Sequence, residues 1–218
     1  MFLWRILCMY GTMFIPEIER IPIAIRNKKM SKKLCLYLPL IVFGGLVSTN
    51  ANAETSASQP RVLVAYFSML DGNTGDVARA IVQESNGDIY RIMVAEPYPN
   101  DDKARNERLT QEVKQNSLPA LAGPAPNFME YDIIFLGSPV WANHLSQPVK
   151  SFLHKYDLSG KKVVPFVSHS GGGRGKAFSD VADMCDGCIV DTDGWSSWGG
   201  GRQRGIAKWV AKKLAQHN

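Results

Sequence analysis

The chain has 218 residues, 45% of them hydrophobic, with 25 Lys and Arg against 20 Asp and Glu for a formal charge of +5. That length suits one globular domain of ordinary size once the front of the chain is set aside. Seven of the basic and two of the acidic residues precede residue 54, leaving 18 of each behind it; in a remainder near neutrality nothing calls for nucleic acid or an anionic membrane surface, which would need a basic stripe.

Residues 1–29 fit no part of a domain and read as an upstream extension ahead of a start at Met30, the alternative being an unusually long amino-terminal region of an export leader. Residues 30–53 have the three parts of a secretory signal: Met30-Ser31-Lys32-Lys33, the apolar run Leu34–Val47, and Ala51-Asn52-Ala53. The run is shorter than the roughly 20 residues that span a bilayer, so a removable leader is expected and a permanent membrane anchor is not. Cys35 stands at the start of the run and not after it, which argues against a lipid-modified cysteine, and the lack of a preceding twin arginine favours general, unfolded export to the periplasm. Residues 54–60 form a Ser/Pro linker, and residues 61–218 the domain.

The domain alternates strand and helix. Residues 61–67 are a near-continuous apolar run, the mark of a strand buried on both faces of a parallel sheet. Helical spacing continues through Val77, Ala78, Ile81 and Val82 to a stop near Asn86-Gly87. Further strands are predicted over 88–94, 131–137, 162–168 and 188–191. Helices are predicted over 101–115, 146–156, 176–184 and 202–216, with an irregular, proline-bearing loop at 118–127. Five strands separated by helices predict a doubly wound α/β sheet, whose ligands bind beyond the carboxyl ends of the strands.

The turn from Ser68 to Asn73 lies at such an end. The free N–H groups and positive dipole end of the adjoining helix favour a phosphate, Ser68, Asn73 and Thr74 add side-chain donors, and Gly72 lets the backbone come close. No Lys-Ser or Lys-Thr follows Gly72-Asn73-Thr74, so Mg-ATP chemistry is not expected, and no GxGxxG fingerprint is present. Two more carboxyl-end loops are unusual: Gly137-Ser138-Pro139-Val140-Trp141-Ala142-Asn143-His144 and Ser168-His169-Ser170-Gly171-Gly172-Gly173-Arg174-Gly175. Their irregular backbones expose peptide groups to a ligand edge, and Trp141 or Tyr98 offers a flat apolar wall. Either histidine could donate a proton or simply be solvated. Trp195 and Trp198 could face the pocket, face a partner or close the core. Cys185 and Cys188, two residues apart in an exported chain, permit a disulfide, structural or redox-active; no second ligand pair for zinc is present.

The segment Tyr66-Phe67-Ser68-Met69-Leu70-Asp71-Gly72-Asn73-Thr74 resembles the first loop of the flavodoxin family: an aromatic residue, Ser or Thr, a short spacer, then Gly-Asn-Thr. The second and third loops resemble the Gly-x-Pro-x-Trp and serine/glycine loops of the flavodoxin-like group, which includes short NAD(P)H-dependent quinone and FMN reductases. Glu96-Pro97-Tyr98-Pro99, Tyr131-Asp132 and Leu158-Ser159-Gly160-Lys161 extend the agreement, which runs from Arg61 to about Asp193.

The resemblance implies a five-stranded parallel sheet in the order 2-1-3-4-5 with helices on both faces. It also implies non-covalent FMN. Ser68, Met69, Gly72, Asn73 and Thr74 would then lie at the phosphate. Tyr98, Pro139, Val140, Trp141, Ala142, Asn143 and His144 would lie at the ring, together with Ser168, His169, Ser170, Gly171 and Gly172. The spacer is one residue longer than the family pattern, and Asp71 sets a carboxylate beside a dianion site, which costs free energy unless it points away or meets a donor. The implied function is an exported electron carrier between redox partner proteins. The alternatives are an NAD(P)H-dependent FMN or quinone oxidoreductase and a flavin-free binding module of the same shape.

Overall fold

The computed structural model describes residues 59–199 and 203–217. The upstream extension, the leader and all but the last two residues of the linker lie outside them.

Strand β1 (Val62–Tyr66) is buried along its whole length. Its alternating side chains divide between two cores, as the period of two requires. Val62, Val64 and Tyr66 meet Val77, Ala78 and Ile81 of helix α1 (Asn73–Ser85) and Ile206 and Val210 of α5 (Ile206–Ala215). Leu63 and Ala65 face the opposite core, with Val149 and Phe152 of α3 (Gln147–Lys155) and Phe178 and Val181 of α4 (Ala177–Met184). Strands β2 (Asp88–Arg91) and β5 (Ile133–Trp141) flank β1, followed by β7 (Lys162–His169) and β8 (Ile189–Val190), all parallel. Counting these five along the chain, the sheet order is 2-1-3-4-5, the doubly wound order expected.

Four elements differ from the sequence reading, each for a tertiary reason. The second strand stops at Arg91: Ile92 makes a last bond to the Tyr66 carbonyl at 2.7 Å. Then β3 (Met93–Val94) leaves the sheet to pair antiparallel with β4 (Leu121–Ala122), a piece of the segment expected to be irregular. The third strand runs on past Gly137 to Trp141 and folds back as β6 (His144–Leu145), so Pro139, Val140 and Trp141 are strand residues and not irregular loop. The fifth strand is split. β8 covers only the start of β7, the chain detours through 191–194, and β9 (Trp195–Trp198) resumes beside Phe166–His169. The closing helix begins at Ile206, the first residue of its apolar face and four residues after the predicted start at 202, following Gly205 in a left-handed conformation.

Helix α2 (Asp102–Gln115) is of another kind. It buries only Glu112 and is fastened by hydrogen bonds: Gln147 Nε2 donates to the carbonyls of Glu112 and Ser117 at 3.3 and 2.9 Å. Its composition explains this, because Ala104, Leu109 and Val113 are the helix's apolar residues and leave little apolar surface to bury.

Candidate functional site

The first loop leaves β1 at Phe67, whose N–H reaches the Gly137 carbonyl at 3.0 Å. Ser68 is buried, and its carbonyl accepts from Arg91 Nη2 at 3.0 Å. Asp71, the last residue of the longer spacer, takes φ 52°, a left-handed turn that costs a non-glycine residue on the order of 1 kcal/mol. Its carboxylate accepts from the Tyr66 hydroxyl at 2.7 Å and from Arg79 Nη1 at 3.0 Å. Partial burial pushes the Asp71 carboxyl up, but the Tyr66 hydroxyl and the Arg91 and Arg79 guanidiniums outweigh it and hold the group below its ordinary value. Burial first, and the Asp71 carboxylate second, push the Tyr66 phenol up to about 12. The longer spacer is thus accommodated by a turn whose acid already has its donors. Gly75 makes the arrangement possible: a Cβ there would lie 2.5 Å from Asp71 Oδ1.

At the head of α1, Gly72 is the N-cap, and no side chain caps the helix. A Cβ on Gly72 would meet nothing within 4 Å. The amides of the first turn are open to an outside acceptor, and their dipoles favour an anion. Thr74 is buried, with Oγ1 2.7 Å from Ser168 Oγ, so a hydroxyl pair joins the first loop to the end of β7.

The second loop is a two-residue hairpin. Ala142 and Asn143 have φ 47° and 69°, as such a turn requires of both central residues, and an alanine in that region stores strain. Ser138 Oγ accepts the Ser146 N–H at 3.0 Å and pins the base of the hairpin. Its tip docks on the third loop: Lys176 N–H reaches the Asn143 carbonyl at 2.6 Å. His144 Nδ1 lies 3.0 Å from both Asp180 carboxylate oxygens, and Asp180 Oδ2 also accepts the Leu145 N–H at 2.9 Å. In the third loop His169 Nδ1 accepts the N–H groups of Gly171 and Gly173 at 3.1 and 3.3 Å. Neither histidine is merely solvated.

Ser68, Met69, Gly72, Asn73, Thr74, Pro139, Trp141 and Ser168 come together around one cavity of about 270 Å³, joined by Leu70 and Arg105. A family model described as Flavodoxin matches residues 61–215. The chain belongs to the flavodoxin family. Among solved structures it is similar to a candidate flavoprotein from Bacteroides uniformis, at 27% identity and TM-score 0.60, covering 70% of this chain and 98% of that one. A candidate flavoprotein from Bacteroides eggerthii is similar at 25% identity and TM-score 0.61, over 72% of this chain and 97% of that one. A flavoprotein in complex with FMN from Lactobacillus acidophilus shares the fold at 22% identity and TM-score 0.56, over 69% and 98% of the two chains. No curated protein matches the chain.

In this flavodoxin the remaining candidate residues lie beside the cavity. Tyr98 and Phe67 pack edge-on to Trp141, with ring centroids 5.6 and 5.7 Å away. The Tyr98 hydroxyl donates to Glu112 Oε2 at 2.6 Å under the Arg108 guanidinium; burial, then Glu112, push its phenol far up. Val140 and Ala142 line, with Trp141, a neighbouring groove against α2. Asn143, His144, His169, Ser170, Gly171 and Gly172 build the second and third loops without lining the cavity. Trp195 closes the core against Trp209 at 5.5 Å, whereas Trp198 is 78% exposed next to His169. The Cys185 and Cys188 sulfurs are bonded, at the far end of β7 from Ser168.

Sequence reasoning passed over Arg91, Arg105, Asp180 and Gly199. Arg91 was signalled by a charged residue in a strand segment. Gly199 lies 4.0 Å from Asn73 Nδ2, measured from where its Cβ would be. Arg105 and Asp180 carried no local signal, each being one polar residue among several on a helix.

Proposed function

We propose that this flavodoxin-family protein binds FMN non-covalently at the cavity and serves outside the cytoplasm, in the periplasm, as an electron carrier between redox partner proteins. The observation that carries the cofactor reading is the convergence of three loops on one cavity, joined by the Thr74–Ser168 hydroxyl pair. The donor set fits a flavin mononucleotide. An uncapped helix start, with the hydroxyls of Ser68 and Thr74 and the amide of Asn73, suits a phosphate dianion. Trp141, backed by Tyr98 and Phe67, suits a planar ring. Open space at Gly72 leaves the backbone accessible there. Bound FMN supplies one- and two-electron redox chemistry. The chain's own part would be to hold the phosphate on α1 and keep the ring against Trp141, with Ser168 the third loop's residue at the cavity.

Export rests on the leader pattern and is consistent with the Cys185–Cys188 bridge, a bond that persists in oxidising compartments. Because the cavity is assembled from loops far apart in sequence, an unfolded chain in transit has no site, and FMN is acquired after translocation. The test is reconstitution with FMN, desalting and absorbance: a protein left colourless overturns the cofactor. Rapid bleaching on mixing with NADPH, with no partner protein present, replaces the carrier with an NAD(P)H-dependent oxidoreductase. A leader still attached to protein recovered from cells overturns export by cleavage.

A further inference from the structure

The first loop carries no cation. Its residues from Ser68 to Thr74 include one acid, Asp71, and no Lys or Arg. Arg79 and Arg91 stand near it but do not line the cavity: Arg79 bonds Asp71 and Asp76, and Arg91 Nη2 bonds the Ser68 carbonyl while its Nε is buried without a partner. One cationic residue lines the cavity itself, and it comes from a different element. Arg105, in the first turn of α2, shares the wall with Ser68, Leu70 and Trp141. Its side chain is 15% exposed, a burial that desolvates the guanidinium and strengthens any charge pairing it makes. One edge is held in place: Nη1 donates to the carbonyls of Asn100 and Pro99 at 2.9 and 3.5 Å, and Nη2 pairs with Asp102. A guanidinium has five N–H donors, so these bonds orient the fork without exhausting it.

We infer that Arg105 supplies the positive charge that holds the phosphate of the bound mononucleotide, across the cavity from the α1 amides. The inference rests on the flavin reading above and adds to it a residue from α2, the helix that contributes least to the core. Arg105 would make the site select a phosphorylated flavin over its dephosphorylated form, since only the phosphate offers a dianion to pair with. The competing role for this residue is a brace, fixing the 97–102 loop through the Asn100 carbonyl and touching no ligand.

Titration of the apoprotein with FMN and with riboflavin, followed by flavin fluorescence at low and high salt, distinguishes the two. Arg105→Gln is expected to weaken FMN by about 10-fold or more while changing riboflavin by less than about 2-fold, and to flatten the salt dependence of FMN binding. Arg105→Lys, which keeps the charge, is expected to recover part of the loss. Equal weakening of both flavins, or no change in either, overturns the phosphate role and leaves the brace. A variant that fails to fold shows itself by circular dichroism, and the lysine variant then decides on the same ratio of the two flavins. Wild-type protein that binds neither flavin overturns the flavin reading, and this inference with it.

Discussion

Asp71 is bound on three sides, by Tyr66, by Arg79 and by the room that Gly75 leaves. Because its folded-state pKa is depressed below 3.8, the stability it adds is present above that pH and is lost as the pH falls through the lowered value. Its side chain is 40% exposed, so solvent screening keeps the ionic part below about 1 kcal/mol. Asp71→Ala also leaves the Tyr66 hydroxyl without its acceptor, and the total expected loss is about 1–2 kcal/mol. Urea unfolding at pH 7 and pH 3 checks this, with the difference between variant and wild type shrinking at pH 3. Gly75→Ala acts on the same contact from the other side. Its methyl group meets Asp71 Oδ1, so the turn must shift, and FMN affinity measured by titration is expected to fall more than thermal stability does. Gly137 is the comparable position in the core: a Cβ there overlaps the Phe166 ring, and Gly137→Ala is expected to cost about 1–3 kcal/mol.

Two helices are fastened by charge, α2 with little apolar contact and α5 in addition to its buried Ile206 and Val210. Glu112 of α2 binds Tyr98 at 2.6 Å and Arg108 Nε at 2.8 Å, and those two bonds anchor the Tyr98 ring behind Trp141. Glu112→Ala is expected to cost about 2–3 kcal/mol. In wild type, amide exchange along α2 is expected to be faster than along α1, whose Val77, Ala78 and Ile81 are fully buried. On the other side of the sheet Lys213 of α5 is 1% exposed and meets Asp191 Oδ1 and Oδ2 at 2.9 and 2.8 Å and Asp193 Oδ2 at 3.0 Å. These carboxylates sit in the detour between β8 and β9, so the ion pairs tie the split edge strand to the closing helix. The Lys212 and Lys213 ammonium groups pull the Asp193 carboxyl down to about 2. Asp191→Ala leaves the buried ammonium group with the exposed Asp193 carboxylate alone and is expected to cost about 2 kcal/mol, read as a lower denaturant midpoint at unchanged slope.

Across the whole molecule the cavity and the disulfide occupy opposite ends of one strand. Ser168 lines the cavity near the end of β7, whereas the loop closed by Cys185 and Cys188 leads into β8 beside Lys162 and Val163. Seven residues of strand at 3.3 Å each separate the ends by roughly 20 Å. Reduction, or Cys188→Ala, is therefore expected to lower stability by about 2 kcal/mol, the value for so short a closed loop, with FMN affinity unchanged within about 2-fold. A loss of electron-transfer activity without loss of FMN would assign the pair a redox role instead. The sequence alone determined the parallel sheet, because buried parallel strands must be apolar on both faces and helices must cover them, and 61–67, 131–137 and 162–168 carry that signature; the strand order came from the resemblance of the loops to the flavodoxin family. It also determined the first loop and the hydroxyls of Ser68, Thr74 and Ser168, since a turn between strand and helix is a local feature with local residue requirements. Only the tertiary structure decided that Pro139–Trp141 continue β5, that Trp195 and Trp198 resume the edge strand and that Arg105 enters the cavity. Hairpin extension, edge pairing and a cation reaching from a separate helix are set by contacts between segments far apart in the chain, and polar residues on a solvent-facing helix show no period that distinguishes the one facing a ligand.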